Sequence, residues 1–404
     1  MTVSSGFAVE SPGAGPGLSA GAQRWIAALV GGGEPRVSPF GHTRPLWSVD
    51  VVRPDGAIPL FVRGRRDSGS VLAPVYDLAR EARVIRALTE LRVPTPAFVG
   101  FDPAEQLLVL RRVPGRGDFH AVGDPVYRGR VIDSFVRALA ELHAHDPVPF
   151  GLDTTMPIPH TAEEHALAEL EIAEPLYDAA RVGPEPIVTF GRAWLRRNVP
   201  HDVDHTSFVQ GDTGPGNFVF HGDDVQLVDF EISHFGDPME DLAAVCVRDM
   251  VSPFCDLRDL FARYDELTSW RLDFDRIRYH RVSKCVRSLI AIVSLAERGT
   301  DAGEHGTWLA YWALYVRGAC QALAEAMGLR FDDVREGASA RVAAHAAGDD
   351  AEARRRLNDD LRAGRLRGDD ADILRVLTEH AERRCASTRP LMGPMADGLF
   401  SPIE

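Results

Sequence analysis

Three polar side chains near the middle of the chain have the types and spacing that phosphoryl transfer needs. Asp212 and Asn217 share the loop 211–217, whose three glycines and one proline exclude a helix and favour sharp turns. A hairpin over residues 218–228 would return Asp229 to the same point. Moving a γ-phosphoryl group to a hydroxyl requires a carboxylate base and oxygen ligands for Mg²⁺. We therefore predict that Asp212 is the base and that Asn217 and Asp229 bind the metal.

The motifs in this region resemble those of a known family. Gly-Asp-x-x-x-x-Asn at 211–217 is followed by Asp-Phe-Glu at 229–231 and by Gly-Asp-Pro-x-x-Asp-Leu-Ala at 236–243. In this order they are similar to the motifs of aminoglycoside phosphotransferases and choline kinases, and best match the branch associated with acyl-CoA dehydrogenases. The resemblance runs from about residue 37 to residue 327. It implies a protein-kinase-like α+β fold with two lobes and the site in the cleft between them.

The first motif alone would also fit a glycine-rich turn before a hairpin in an unrelated α/β protein. The ordered combination of three motifs favours the kinase-like interpretation. We assign Asp237 and Asp241 to structure. Asp237 precedes Pro238 and could cap the helix that begins near Met239, and Asp241 falls in the first turn of that helix, where a carboxylate suits the helix dipole.

The N-terminal third is expected to hold the nucleotide, which we expect to be ATP, or GTP in its place. Residues 36–52 predict a strand, a loop of small residues and a second strand. Backbone N–H groups of Gly41, His42 and Thr43 would cover the phosphates. The loop has a single glycine, however, and an ordinary hairpin turn explains it equally well.

The next strand ends in Arg63, at the position where the resemblance places a phosphate-binding lysine. Arginine can grip a phosphate bidentately, and Arg65 or Arg66 are alternatives for the same role. A helix is predicted over residues 76–88, and Glu81 is the partner that the resemblance implies for the strand arginine. A surface glutamate in an arginine-rich helix is the simpler alternative for Glu81.

Residues 106–115 predict a strand that leads into the connection between the lobes. The resemblance implies that exposed backbone there, around Leu110 and Arg112, hydrogen-bonds the adenine edge. We divide the chain into a flexible tail (1–21), a nucleotide-binding N-lobe with a small antiparallel sheet (22–113), a mostly helical C-lobe that binds the acceptor (114–347) and a helical extension with an irregular tail (348–404). Helical periodicity predicts segments at 131–145, 163–181, 187–198, 239–250, 257–268, 275–297, 307–327, 334–347, 351–367 and 370–384.

Composition limits the class of protein. The chain has 404 residues and a formal net charge of −14, which argues against nucleic acid as substrate because phosphate binding needs basic patches. No apolar run approaches the roughly 20 residues that span a bilayer, and no secretory signal is visible. Five scattered cysteines predict reduced thiols in a cytoplasm. We expect a cytoplasmic protein whose partner is a small-molecule hydroxyl acceptor, without nucleic acid or membrane; oligomeric state is not indicated.

In addition to Arg63, one other position departs from the commonest family pattern. Gln210 stands before Gly211, where the resemblance implies a histidine that braces the catalytic loop. A glutamine can supply both a donor and an acceptor for that role. Two hypotheses therefore remain: an active Mg²⁺-dependent ATP:alcohol phosphotransferase acting on an antibiotic, an amino alcohol or a hydroxylated acid or its CoA ester, or a catalytically degenerate, nucleotide-binding relative. The Ala-Pro-Glu signature of protein kinases is absent.

Overall fold

A computed structural model describes residues 17–40, 45–65, 71–72, 75–180, 183–298, 302–337 and 350–392. The N-terminal lobe is built on a five-stranded antiparallel sheet with the order β1-β2-β3-β5-β4. Its strands are β1 (Glu34–Phe40), β2 (Leu46–Arg53), β3 (Gly56–Gly64), β4 (Phe98–Asp102) and β5 (Leu107–Arg111), and its helices are α1 (Ala20–Leu29) and α2 (Leu78–Glu90).

The two faces of the sheet differ in chemistry because side chains alternate along each strand. Val49 and Val51 of β2 are fully buried and pack with Ile26 of α1 on one face. Ser48 and Asp50 point to the opposite face, which looks toward the second lobe. The sheet therefore presents polar residues to the cleft while α1 closes its outer side.

Helix α2 brings Glu81 under the sheet. It begins after Asp77, whose side chain accepts the N–H of Arg80 and so caps the first turn. Its apolar residues Val84 and Leu88 are fully buried in the core that Leu108 of β5 shares. This packing fixes the face of α2 that carries Glu81.

The second lobe is mostly helical, as predicted. Its helices are α3 (Pro125–Ala144), α4 (Ala162–Ala179), α5 (Pro186–Arg197), α6 (Met239–Val251), α7 (Leu257–Leu267), α8 (Phe274–Arg298), α9 (Ala302–Ala326), α10 (Phe331–Gly337), α11 (Asp350–Arg362) and α12 (Asp370–Thr388). Two small antiparallel pairs lie beside them, β6 (Ser207–Val209) with β9 (His234–Gly236) and β7 (Phe218–His221) with β8 (Asp224–Leu227). In the described part of the chain, no helix is long and apolar enough to cross a membrane.

The helices after residue 348, which we assigned to an extension, pack into the core of the C-lobe. Leu357 of α11 and Leu374 of α12 are buried in the cluster built around α8 and α9. Arg384 of α12 donates to buried Glu185 over 2.6 Å, and Trp312 of α9 donates to the same carboxylate over 2.9 Å. α12 also continues to Thr388, into the segment predicted to be irregular.

Two elements of the N-lobe were not predicted. Helix α1 begins at Ala20, inside the segment predicted as a flexible tail; Ser19 caps it, and Leu18 is already buried. The edge strand β4 has only five residues and a register irregularity between Phe98 and Gly100, so it shows little alternation. The remainder of the predicted tail, residues 1–16, lies outside the described residues.

Candidate active site

The loop 211–217 holds Asp212 at the cleft through contacts from three directions. The side-chain amide of Asn217 donates to the Asp212 carbonyl over 2.6 Å and to its carboxylate over 2.8 Å. Arg248 of α6 donates to the carboxylate atom Oδ2, and Lys284 of α8 donates to Oδ1 over 2.9 Å. Gly214 has a φ of +128°, and a Cβ there would meet the Arg248 side chain at 3.1 Å. Position 214 therefore favours glycine, because its backbone is left-handed and the Arg248 side chain packs against it.

These cations determine the protonation state of Asp212. Burial alone would raise the pKa of the carboxyl, but Arg248, Lys284 and the hydrogen bond from Asn217 outweigh burial and hold the pKa well below its usual range. The Asp212 side chain remains 28% exposed, so it is accessible from the cleft. Asp212 is therefore an ionised, oriented carboxylate at neutral pH.

A buried carboxylate braces the start of the loop from beneath. Asp241, which is fully buried, accepts the N–H groups of Gln210 and Gly211 over 2.8 and 2.7 Å. His143 at the end of α3 contacts the same carboxylate over 3.0 Å and the Tyr264 hydroxyl over 2.7 Å. Asp241 was predicted to have a structural role in the first turn of α6. Its contacts show that it braces the catalytic loop, which the sequence did not reveal.

Asp237 has the other structural role that was predicted. Its side chain accepts the Met239 N–H over 2.9 Å and caps the start of α6. Arg276 donates to both of its oxygens, and His280 contacts it over 3.0 Å. Burial alone would raise the pKa of Asp237, but His280 and Arg276 hold it well below its usual range.

Gln210 bridges the two segments that carry the expected metal ligands. Its side chain is fully buried, and its amide nitrogen donates to the carbonyls of Asn217 and Val228. Its amide oxygen has no partner among the described residues. Gln210 therefore acts as a donor only, and the acceptor function that we had counted in its favour is unused.

Asp229 follows β8 with a backbone φ of +64°, in the left-handed region that few non-glycine residues adopt. This turn sends Phe230 into the core, where it is fully buried, and leaves the Asp229 carboxylate at the cleft. The backbone of the neighbouring residue is also tied down, because the Val228 N–H donates to the Asn217 carbonyl over 3.0 Å. Asn217 and Asp229 thus belong to one rigid unit.

Arg63 of β3 connects this unit to the N-lobe. Its guanidinium donates to Glu81 over 2.6 Å and to Asp229 over 3.1 Å, and Glu231 lies 3.4 Å away. Burial alone would lower the pKa of Arg63, but the carboxylates of Glu81 and Asp229 outweigh it and raise the pKa. Arg80 adds a second link by donating to the backbone carbonyl of Glu231.

The other nucleotide-binding predictions fall into two groups. Leu110 is paired on both sides within the sheet, with Phe61 and Phe98. Arg112 donates its backbone N–H to the Pro59 carbonyl over 3.2 Å, and its guanidinium binds Asp50 over 2.6 Å. Both residues are therefore engaged within the N-lobe sheet. Gly41, His42, Thr43 and the alternative phosphate ligand Arg66 lie outside the described residues.

The comparison with protein families decides the class of the molecule. Residues 52–280, more than half of the chain, match the model of the phosphotransferase enzyme family. The chain belongs to this family. The resemblance drawn from the motifs at 211–243 is thereby confirmed, and all the motifs of that region lie inside the match.

Curated relatives of this phosphotransferase extend well beyond the matched segment. Acyl-CoA dehydrogenase family member 11 of Rattus norvegicus is 28% identical over 194 residues, which are 45% of this chain and 24% of the rat protein. Acyl-CoA dehydrogenase family member 10 of Mus musculus is 23% identical over 198 residues, 46% of this chain and 18% of the mouse protein. The chain therefore matches about a quarter of these relatives' length or less. The predicted similarity to the branch associated with acyl-CoA dehydrogenases is confirmed.

Solved structures similar to this phosphotransferase share its fold. A protein of Ralstonia eutropha, provisionally assigned as an aminoglycoside phosphotransferase, superposes with a TM-score of 0.58 at 20% identity and covers 77% of this chain and 97% of its own. An ethanolamine kinase of Plasmodium vivax superposes with a TM-score of 0.51 at 13% identity, over 71% of this chain and 81% of its own. These similarities confirm the protein-kinase-like α+β fold with its two lobes.

Sequence reasoning missed two site residues of this phosphotransferase, Arg248 and Lys284. Both lie on helices far along the chain from the loop that they contact, and no motif marks them. A compositional signal for one of them was present. Of the 45 lysine and arginine residues in the chain, Lys284 is the only lysine.

Proposed function

We propose that this phosphotransferase moves the γ-phosphoryl group of ATP to a hydroxyl of a small molecule. The observation that carries the proposal is a series of contacts across the cleft. Asn217 binds Asp212 and accepts the backbone N–H of Val228, the residue before Asp229, and Asp229 is joined through Arg63 to Glu81. This series joins a carboxylate at the acceptor side to a carboxylate and an arginine at the nucleotide side. Catalysis of phosphoryl transfer rests mainly on such positioning of charge.

The donor set at the nucleotide side fits Mg²⁺. Asn217 uses its amide nitrogen to hold Asp212, which leaves the amide oxygen for a metal. Asp229 adds a carboxylate that is 29% exposed toward the cleft. Oxygen donors of this kind are the ligands of Mg²⁺, which would neutralise charge on the phosphates. Asn217 and Asp229 are the residues that would hold it.

Arg63 is the proposed phosphate ligand. Glu81 holds one side of its guanidinium, so the fork keeps a fixed orientation when phosphate oxygens replace the contact with Asp229. An arginine can bind two phosphate oxygens at once, where a lysine offers a point charge. Arg63 therefore performs the task of the family's lysine with a different geometry.

Asp212 would orient the acceptor hydroxyl and take its proton. A carboxylate with a lowered pKa is a weak base, yet this suits a reaction whose transition state is loose and in which the attacking oxygen keeps its proton until late. Orientation then matters more than base strength. The contacts from Asn217, Arg248 and Lys284 give Asp212 that orientation.

The charge around Asp212 favours an acceptor that is not a cation. Two cations, Arg248 and Lys284, contact the single carboxylate of Asp212 at this point of the cleft. Charges of the same sign repel, and they disfavour amino sugars and amino alcohols such as those named for the similar structures. Of the acceptor classes considered, a hydroxylated acid or its CoA ester fits this charge best.

The test is a screen of purified protein with Mg·ATP against matched acceptors. A hydroxylated acid, its CoA ester, an amino alcohol and an aminoglycoside would each be followed by product mass and by ADP release, beside the Asp212→Asn variant. We expect acceptor-dependent transfer with an anionic acceptor that the variant loses. Absence of both ATP binding and transfer in the wild type would refute the proposal, and ATP binding without any transfer would favour the degenerate relative.

A further inference from the structure

The single lysine of the chain lies against the catalytic loop. The protein has 45 lysine and arginine residues, and arginine occupies every one of these positions except 284. Lys284 is on α8, and its side chain is 13% exposed. Its ammonium group contacts the loop 211–217. In the described part of the chain, the single lysine therefore contacts the predicted base Asp212 beside Arg248, whereas the other lysine-or-arginine ion pairs that are described use arginine.

The geometry of this contact explains why arginine would not serve. The Nζ atom of Lys284 donates to the Gly211 carbonyl over 2.7 Å and to Asp212 Oδ1 over 2.9 Å. One compact ammonium group thus joins the backbone of one residue to the side chain of the next. A guanidinium distributes its donors over a planar fork and requires more space. Arg248 already occupies the other carboxylate oxygen.

We propose that Lys284 is the positioning residue that fixes the Asp212 carboxylate relative to the Gly211 peptide before the acceptor binds. This inference rests on the proposed function, because it assigns Asp212 the task of orienting the acceptor hydroxyl. Arg248 and Asn217 restrain Oδ2, while Lys284 restrains Oδ1, so the carboxylate plane is defined only when both oxygens are held. Loss of Lys284 would leave Oδ2 in place and Oδ1 unrestrained.

Kinetics of substituted enzymes provide the first test. In Lys284→Met, which keeps the length of the side chain, kcat should fall about a hundredfold with the KM for ATP within about threefold, since a misplaced reactive group costs on that order. Lys284→Arg should stay at least about tenfold below the wild type. Arg281→Met is the matched control, because Arg281 lies one turn earlier on α8 and pairs with Glu325 instead of the loop.

Three kinetic results would overturn the proposal. The first is a Lys284→Met enzyme within about threefold of the wild-type kcat, and the second is full activity of Lys284→Arg, which would show that charge alone suffices. The third is an equal loss of kcat in Lys284→Met and Arg281→Met. Thermal unfolding of each variant shows whether the protein has folded.

Amine labelling tests the contact without any requirement for activity. Because Lys284 is the only lysine, trace acetylation by an N-hydroxysuccinimide ester reports on it directly, with the α-amino group as internal reference. Asp212→Asn should raise the relative rate at Lys284 at least about tenfold, since the ammonium loses its anionic partner. Asp223→Asn, which removes an exposed carboxylate paired with Arg130, should leave it unchanged.

The labelling result separates the two levels of inference. Equal acetylation rates in the wild type and Asp212→Asn would overturn the assignment of Lys284 even if the enzyme is active. A protein that shows the expected change in labelling but transfers phosphate to no acceptor keeps the Lys284–Asp212 contact. In that case the proposed function fails and the positioning contact stands.

Discussion

Replacement of Gln210 by leucine removes a donor that the loop 211–217 depends on. The Gln210 amide donates to the carbonyls of Asn217 and Val228. Leucine removes this donor from both carbonyls, but the Asn217 carbonyl keeps the Val228 N–H at 3.0 Å, so among the described residues only the Val228 carbonyl is left without a donor. An unsatisfied buried carbonyl costs about 1–3 kcal/mol. Leucine also removes the Gln210 amide oxygen, which is buried without a partner in the described residues, and this offsets part of the cost. We therefore expect the free energy of unfolding to fall by about 1–2 kcal/mol.

The measurement pairs stability with turnover. Urea unfolding should show the loss of free energy, and kcat should fall about tenfold or more because Asn217 and Asp229 are no longer held together. Gln210→His should fold normally and keep kcat within about tenfold, since an imidazole N–H can reach the same carbonyls.

Gln226→Leu is the matched control. Gln226 is on β8 of the same hairpin, and its amide oxygen likewise has no partner in the described part of the chain. If Gln226→Leu and Gln210→Leu lower stability and kcat equally, bracing by Gln210 is refuted. A Gln210→His enzyme with much higher activity than the wild type would instead favour the degenerate relative.

Three further predictions concern single carboxylates. Asp212→Asn should lower kcat about a hundredfold or more and leave ATP affinity within a few-fold; near-normal turnover would exclude Asp212 as the base. Asp229→Ala should abolish the tightening of ATP binding by Mg²⁺ in calorimetry, whereas Asp223→Ala in the hairpin turn should not, and equal effects would point to structural damage. Asp237→Asn should cost about 1.5–3 kcal/mol at neutral pH, because the buried Arg276 loses one of its two carboxylate partners and keeps only the more exposed Asp204. The pKa of Asp237 is lowered on folding, so this stabilisation is present above the ordinary aspartate pKa and shrinks as pH falls below about 4. Urea unfolding of the wild type and Asp237→Asn at neutral and acid pH measures it. A difference in unfolding free energy that does not change with pH would contradict the prediction.

Local patterns were sufficient for the parts of the site that the chain builds from neighbouring residues. Loop, hairpin and Asp229 follow one another within the 19 residues 211–229, so turn residues and strand alternation predicted their arrangement. Such a short stretch of chain leaves few ways to bring the groups together. The Arg63–Glu81 pair is different, because the residues alone left a surface glutamate as an alternative and the resemblance implied the pair that the structure contains.

Long-range contacts could not be predicted in this way. Arg248 and Lys284 meet Asp212 because α6 and α8 pack side by side under the loop, which depends on the whole C-lobe core. The same holds for Asp241. Its hydrogen bonds to the loop backbone depend on where α6 starts in space, which the sequence does not show. Arg112 is a further case: the resemblance implied that its backbone meets the adenine edge, and its backbone N–H donates to the Pro59 carbonyl on the neighbouring strand.

The anchoring of α12 has a consequence for how the protein can be shortened. The family match ends at residue 280, inside α8. A fragment cut there, or at residue 347, would leave Glu185 buried without Arg384, and an unpaired buried charge of this kind costs about 3–5 kcal/mol. It would also uncover the apolar surface that Leu374 and Cys385 now fill. We therefore expect the stretch that folds as one cooperative unit to extend beyond the family match, and soluble expression to require the helices after residue 347.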